Sequence, residues 1–273
     1  MAYYYKTYNK TIWGKFMATL KILGACSGTE PIKNLHHTSL VLTINDCNYF
    51  FDAGENCSHT AHVGGVDLLR TRAIFISHSH YDHIGGLMGL FWNIRKVSAK
   101  TKKPVENDIK LFLPQPSVWD NILEVLKFTE GGFKKDFEIL VDTPTLGAFY
   151  QDELIKVSAF ESYHLPKDDD KICSYSYLIE TCGKKIVYSG DVKSVEELSA
   201  MLKDGCDILL CETGHHSVKS VCDFAENNGA KKLIFIHHGR EILEDRPSVK
   251  DAISNCKIPV DIAFDGMDVD IKV

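Results

Sequence analysis

From Leu20 onward the chain alternates between short apolar runs and polar, glycine-containing breaks, a pattern of strands joined by turns. Leu20 to Leu23 leads into Gly24 and Gly28. Ser39 to Ile44 alternates, Asn45-Asp46 turns, and Asn48 to Asp52 returns, which predicts a hairpin. Ala73-Ile74-Phe75-Ile76, running into Ser77, shows no alternation, as expected of a strand buried on both faces. Helical spacing follows over Leu87 to Ile94, and the basic run Lys96 to Lys103, closed by Pro104, reads as a loop. After a strand at Ile109 to Leu113, Pro116 opens a helix with apolar positions at Val118, Trp119, Ile122, Leu123, Val125 and Leu126. Gly131-Gly132 closes it.

The second half repeats the theme. Leu154 to Phe160 reads as a strand, and Tyr175 to Thr181 pairs with Lys184 to Ser189 across a Cys182-Gly183 turn. A helix over Val195 to Leu202 leads to a strand at Asp207 to Cys211. A helix over Val218 to Asn227, with Ser217 as N-cap and Gly229 near its end, leads to a strand at Lys232 to Ile236. Two strand-rich halves with helices appended predict an α/β chain of packed sheets with helices outside. No low-complexity tract divides them, so residues 19–273 read as a single domain. Residues 1–18 differ: their tyrosine-rich, aperiodic start reads as an N-terminal extension, of which Met1 to Phe16 is expected to be dispensable for hydrolysis, or as an added edge strand.

Composition narrows the function classes. With 44% hydrophobic and 25% charged residues the chain has the make-up of an ordinary globular protein. No window approaches the roughly 18 apolar residues of a spanning helix, and the first twenty residues lack the apolar stretch of a secretory signal, so no membrane association is expected. A net charge of −6 argues against a protein coated in nucleic acid. The nine cysteines include no Cys-x-x-Cys pair and sit mostly in apolar runs, which favours reduced thiols and a cytoplasmic location.

The candidate chemistry begins directly after the apolar strand, at His78-Ser79-His80-Tyr81-Asp82-His83. For this composition the pattern His-x-His-x-Asp-His is expected by chance about once in five hundred such chains. Imidazoles two residues apart on a tight loop can converge on one ion while the Asp and the following His face a second. Such donors suit zinc, manganese or iron rather than calcium. His164, Asp191 and His237 each lie just beyond the carboxyl end of another apolar strand, where α/β sheets place their sites. A metal site accounts for all four strand ends together.

The order His-x-His-x-Asp-His, His, Ser-Gly-Asp, His resembles the metallo-β-lactamase superfamily, and the resemblance runs from about Leu20 to the C-terminus. Asp52-Ala53-Gly54 is similar to that family's early Asp-x-Gly. Ser174 to Glu180, followed by Lys185 to Asp191, is most similar to its ribonuclease Z and cyclic-phosphodiesterase branch. The resemblance implies a four-layer αβ/βα sandwich with a dinuclear centre at one edge. It implies His78, His80 and His164 as ligands of one ion, Asp82, His83 and His237 as ligands of the other, and Asp191 as the bridge, with His238 as an alternative to His237. Two divalent ions are implied, zinc first, with Mn2+ or Fe2+ as alternatives.

That centre implies hydrolysis by a hydroxide held between the ions, with Asp82 orienting it. The substrate implied is a phosphodiester: a small diester, a cyclic nucleotide or a short RNA. The chain has no long Gly/Pro-rich arm of the kind that grips transfer RNA, which favours the smaller substrates. A general acid is expected in His215-His216-Ser217. Matching the branch's His-Ser pattern favours His216, whereas counting back from His237 favours His215, and Glu212 could pair with either. The alternatives are a lactone, thioester or other carbonyl hydrolase on the same fold, or a metal-binding regulatory protein with vestigial activity. A homodimer is compatible with all of these. His36 and His37 border the expected site, His59 and His62 read as solvent-facing, and Phe91 and Trp92 read as core.

Overall fold

The computed structural model describes residues 18–271, which form two seven-stranded mixed sheets packed face to face. In the first sheet, β1 (Ala18–Gly24), β2 (Ser39–Ile44), β3 (Cys47–Phe51), β4 (Thr71–Phe75), β5 (Ile109–Phe112) and β6 (Ile139–Asp142) lie in chain order. The last strand of the chain, β14 (Asp268–Ile271), returns to pair antiparallel with β1. The second sheet runs β7 (Gly147–Gln151), β8 (Lys156–Glu161), β9 (Tyr175–Thr181), β10 (Lys184–Tyr188), β11 (Ile208–Glu212), β12 (Leu233–Ile236) and β13 (Val260–Ile262). β3 to β6 are mutually parallel, as are β10 to β13, so the carboxyl ends within each set share one edge.

Why the central strands lack alternation is visible in their two environments. Ala73 and Phe75 of β4 enter the core between the sheets, beside Phe51 and Tyr177. Ile74, and Ile76 just beyond the strand, pack instead against the helices outside. Those helices are α1 (Cys57–Val63), α3 (Leu87–Thr101) and α4 (Ser117–Leu126), with the single turn α2 (Tyr81–Ile84) between the first two. The outer face of the second sheet is covered by α5 (Val218–Asn227) and α7 (Pro247–Asn255), preceded by the short α6 (Arg240–Leu243). The result is the expected four-layer αβ/βα sandwich.

Two helical expectations change. The basic run Lys96 to Lys103 is not a loop through most of its length: α3 continues to Thr101 and ends where Lys102 turns left-handed, its N–H on the Ser98 carbonyl. Burial of Phe91, Ile94 and Ser98 along one face sustains the helix, while Lys96 lies over the Trp92 ring, 4.6 Å from its centre. The Val195–Leu202 helix is instead a tighter 3-10 turn over Val195–Ala200, capped reciprocally by Ser194 and Glu197. At the chain start, Ala18 already opens β1 opposite Ile271. The rest of the expected extension lies outside the described residues.

Candidate metal centre

Strand ends aim every predicted ligand at one edge of the sandwich. β4 runs out through Ser77 into His78 and His80, and α2 then turns Asp82 and His83 back toward them. β8 delivers His164, β10 delivers Asp191 through Ser189-Gly190, and β12 delivers His237. Two of these exits require left-handed backbone: φ is +54° at Gly190 and +47° at His237. At Gly190 a Cβ would also lie 2.8 Å from the Tyr175 carbonyl oxygen and 2.9 Å from Ser77 Cβ. Glycine is therefore the residue that lets β10 pass this close to the His motif.

The predicted donors form two groups joined through one carboxylate, and Asp191 and His237 also form a third group with His215. Donor atoms of His78, His80, His164 and Asp191 all lie within 4.8 Å of one another, as do those of Asp82, His83 and His237. Asp191 reaches both groups: Oδ2 is 3.8 Å from His78 Nε2, 3.7 Å from His164 Nε2 and 3.3 Å from His237 Nε2, and Oδ1 is 3.4 Å from His83 Nε2. His237 Nε2 lies 3.1 Å from Asp82 Oδ2.

The donor set fits divalent cations. Nε2 of His78, Nε2 of His83 and Oδ1 of Asp191 are buried with no hydrogen-bond partner among the described residues. Burying several such atoms together is costly unless a cation satisfies them. Imidazoles with carboxylates and no thiolate match zinc-type chemistry and leave coordination positions for water and substrate. Electrostatics agree with this charge pattern. Burial pushes against every charged form here, yet His237 and His83 hold the Asp82 and Asp191 carboxyls well below the usual carboxylate range. Against its own burial, His237 is raised to about 9 by Asp191 and Asp82. His78 is driven down by burial and by the neighbouring His83.

Residues 18–253 match the family described as Anti-Pycsar protein Apyc1. The chain belongs to that family. This Apyc1-family chain is also similar to a ribonuclease Z of Methanothermobacter thermautotrophicus, 24% identical across 94% of this chain and 97% of that protein. Among solved structures, the metallo-β-lactamase fold protein YhfI from Bacillus subtilis superposes with a TM-score of 0.73 at 16% identity, covering 93% of this chain and 99% of that one. The short form of human tRNase Z superposes at 0.71 with 20% identity, covering 93% of this chain and 100% of that one. The Apyc1-family chain thus has the metallo-β-lactamase fold of those structures.

The tandem histidines of this Apyc1-family chain have separate surroundings. His215 faces the centre, its ring 4.8 Å from that of His164 and nearly parallel to that of His237 at 5.6 Å. Its Nδ1 lies 3.0 Å from both oxygens of Glu212, whose carboxylate also accepts the His215 backbone N–H. His216 has its Nε2 on the Val192 carbonyl at 3.0 Å, with Glu212 Oε1 3.6 Å from the same nitrogen. His238 is likewise engaged elsewhere, donating Nε2–H to the Ala263 carbonyl at 2.8 Å, and burial drives its pKa down to about 4. His237 is the member of that pair which meets Asp82 and Asp191.

His36 and His37 hold loops beside the centre, pairing with Asp265 at 2.7 Å and Glu55 at 2.8 Å. His59 and His62 are exposed on α1, and Phe91 is core against Trp119. Sequence reasoning missed Ser77, whose backbone N–H and hydroxyl both donate to Asp52. The available signal was its place between an apolar strand and the first ligand.

Proposed function

We propose that the chain hydrolyses a phosphodiester at a dinuclear centre held by His78, His80, His164, Asp82, His83 and His237, with Asp191 shared. Zinc is the favoured metal, since borderline imidazole and carboxylate donors suit it, with manganese or iron as substitutes. When bound, a pair of divalent ions supplies Lewis-acid activation of water and a clamp on the attacking and leaving oxygens. The chain's own residues supply the rest. Asp82, its charge kept by His237 and His83, orients and accepts a proton from the attacking water. His215 gives a proton to the leaving oxygen. With Nδ1 committed to Glu212, its Nε2 is the nitrogen left to face the substrate. The Glu212 hydrogen bond raises the His215 pKa, so the ring stays protonated at a higher pH than a free histidine.

One observation carries this reading: a Glu212-backed histidine stands directly over the donor cluster, supplying the acid that an alkoxide leaving group requires. The substrate is a small diester, a cyclic nucleotide or a short RNA, in a cytoplasmic setting. A substrate panel tests it: bis-p-nitrophenyl phosphate, cyclic nucleotides, transfer-RNA precursor, a lactone, a thioester and a β-lactam. Metal-dependent turnover of the phosphodiesters should exceed that of the carbonyl substrates. A lactone or thioester as the fastest substrate would replace the phosphodiester reading with a carbonyl one.

A further inference from the structure

Two buried carboxylates beyond the seven proposed ligands back the two halves of the centre unequally. Asp52 leaves β3 in left-handed backbone, with φ of +57°, and is fully buried. Its carboxylate accepts from His83 Nδ1 at 2.7 Å, from the Ser77 N–H at 2.6 Å, from the Ser77 hydroxyl at 2.7 Å, and from the Tyr188 hydroxyl across the sheet interface. Glu212, also fully buried, places Oε2 3.7 Å from His237 Nδ1. His83 therefore has a hydrogen-bonded carboxylate behind it, while the Glu212 charge lies near His237 without a hydrogen bond to its Nδ1. Among the described residues the His78–His80–His164 group has no such support. His78 Nδ1 meets the Ser77 hydroxyl at 3.1 Å, His80 Nδ1 faces His164 Nε2 at 3.3 Å, and His80 is exposed.

The asymmetry has a direction. A carboxylate behind a ligating imidazole fixes its tautomer and raises its basicity, and loss of such a partner costs about 10–100-fold in metal affinity. Asp82 adds a full negative charge to its own group, while Asp191 is shared by both. Coulomb attraction for a dication is therefore stronger at the Asp82–His83–His237 position than at the one that includes exposed His80.

We propose that the two positions load in order: the Asp82–His83–His237 position fills first and retains its ion, and the His78–His80–His164 position binds more weakly and exchanges. Supply of the second ion then determines what fraction of the protein is complete. This ordering rests on the two-ion reading above.

Titration of the chelator-stripped full chain with cobalt(II), followed by calorimetry and visible absorption, tests it without reference to turnover. Two equivalents should bind, the first at least about tenfold tighter than the second. H80A, at an exposed position, should remove the weaker event and keep the tighter one. D52N, which removes the carboxylate bonded to His83, should weaken the tighter event by about 10–100-fold and leave the weaker one in place, and E212Q, which removes only a nearby charge, should weaken the tighter event by less. Should D52N fail to fold, E212Q and H80A decide the matter. Two indistinguishable events, or loss of the tighter event in H80A, would overturn the ordering alone. A total of one equivalent would overturn the two-ion reading and the ordering with it.

Discussion

Asp191 is the residue on which the two donor groups depend together, since its oxygens lie 3.3–3.8 Å from imidazoles of both. Without it, two cations held close together would lose the charge that offsets their repulsion. D191A is expected to abolish hydrolysis and to lower bound metal, measured by elemental analysis of the purified variant; full metal content would contradict this. The tandem histidines make a sharper contrast. H215A should lower turnover by about 10²–10⁴-fold with both metals retained, as removal of a general acid does. H216A should stay near the parent rate, because its ring is spent on the Val192 carbonyl. Equal losses in the two variants, or the larger loss in H216A, would return the acid role to His216.

At the scale of elements, the site is a set of strand exits, and their backbone is as specific as their side chains. Gly190 passes between Tyr175 and Ser77 with positive φ. G190A should cost on the order of 1–3 kcal/mol for the left-handed backbone alone, before the collisions with the Tyr175 carbonyl and Ser77. Thermal melting and metal content should fall together, because the strain moves Asp191; an unchanged melting temperature would show that the exit is looser than its contacts imply. Central strands and buried helix faces were legible from periodicity: Ser39–Ile44, Tyr175–Thr181 and Val218–Asn227 appear with the bounds their patterns predict. The strands β6, β7, β13 and β14 were not, for they are three to five residues long and leave positions exposed, so even the alternation of β14, with Val269 and Ile271 buried and Asp268 and Asp270 exposed, is too short to stand out. The end of α3 was hidden because its lysines occupy the outer face of a helix whose inner face alone is apolar.

At the scale of the molecule, the centre joins both sheets: β3 and β4 bring Asp52 and the His motif, and β8, β10, β11 and β12 bring the rest. Cations bound there should tie the halves together and satisfy the unpartnered His78, His83 and Asp191 atoms. Chelation should therefore lower the melting temperature, and added zinc should restore it. Preferential binding to the folded state contributes about 2.7 kcal/mol at a hundredfold excess over Kd. A melting curve indifferent to chelator would argue against that coupling. The amino-acid order by itself determined the layer architecture and the ligand types, because apolar periodicity and a motif six residues long are local properties. Tertiary structure alone decided which of the adjacent histidines 215 and 216 faces the centre, whereas at 237–238 the strand end already favoured His237 and the structure places it beside Asp82 and Asp191. Neighbours in sequence share composition and spacing, and their directions are set by Glu212, the Val192 carbonyl, Asp82 and the Ala263 carbonyl, partners that folding brings to them. The unequal carboxylate support of the two halves likewise exists only once β3 and β11 end at the same edge.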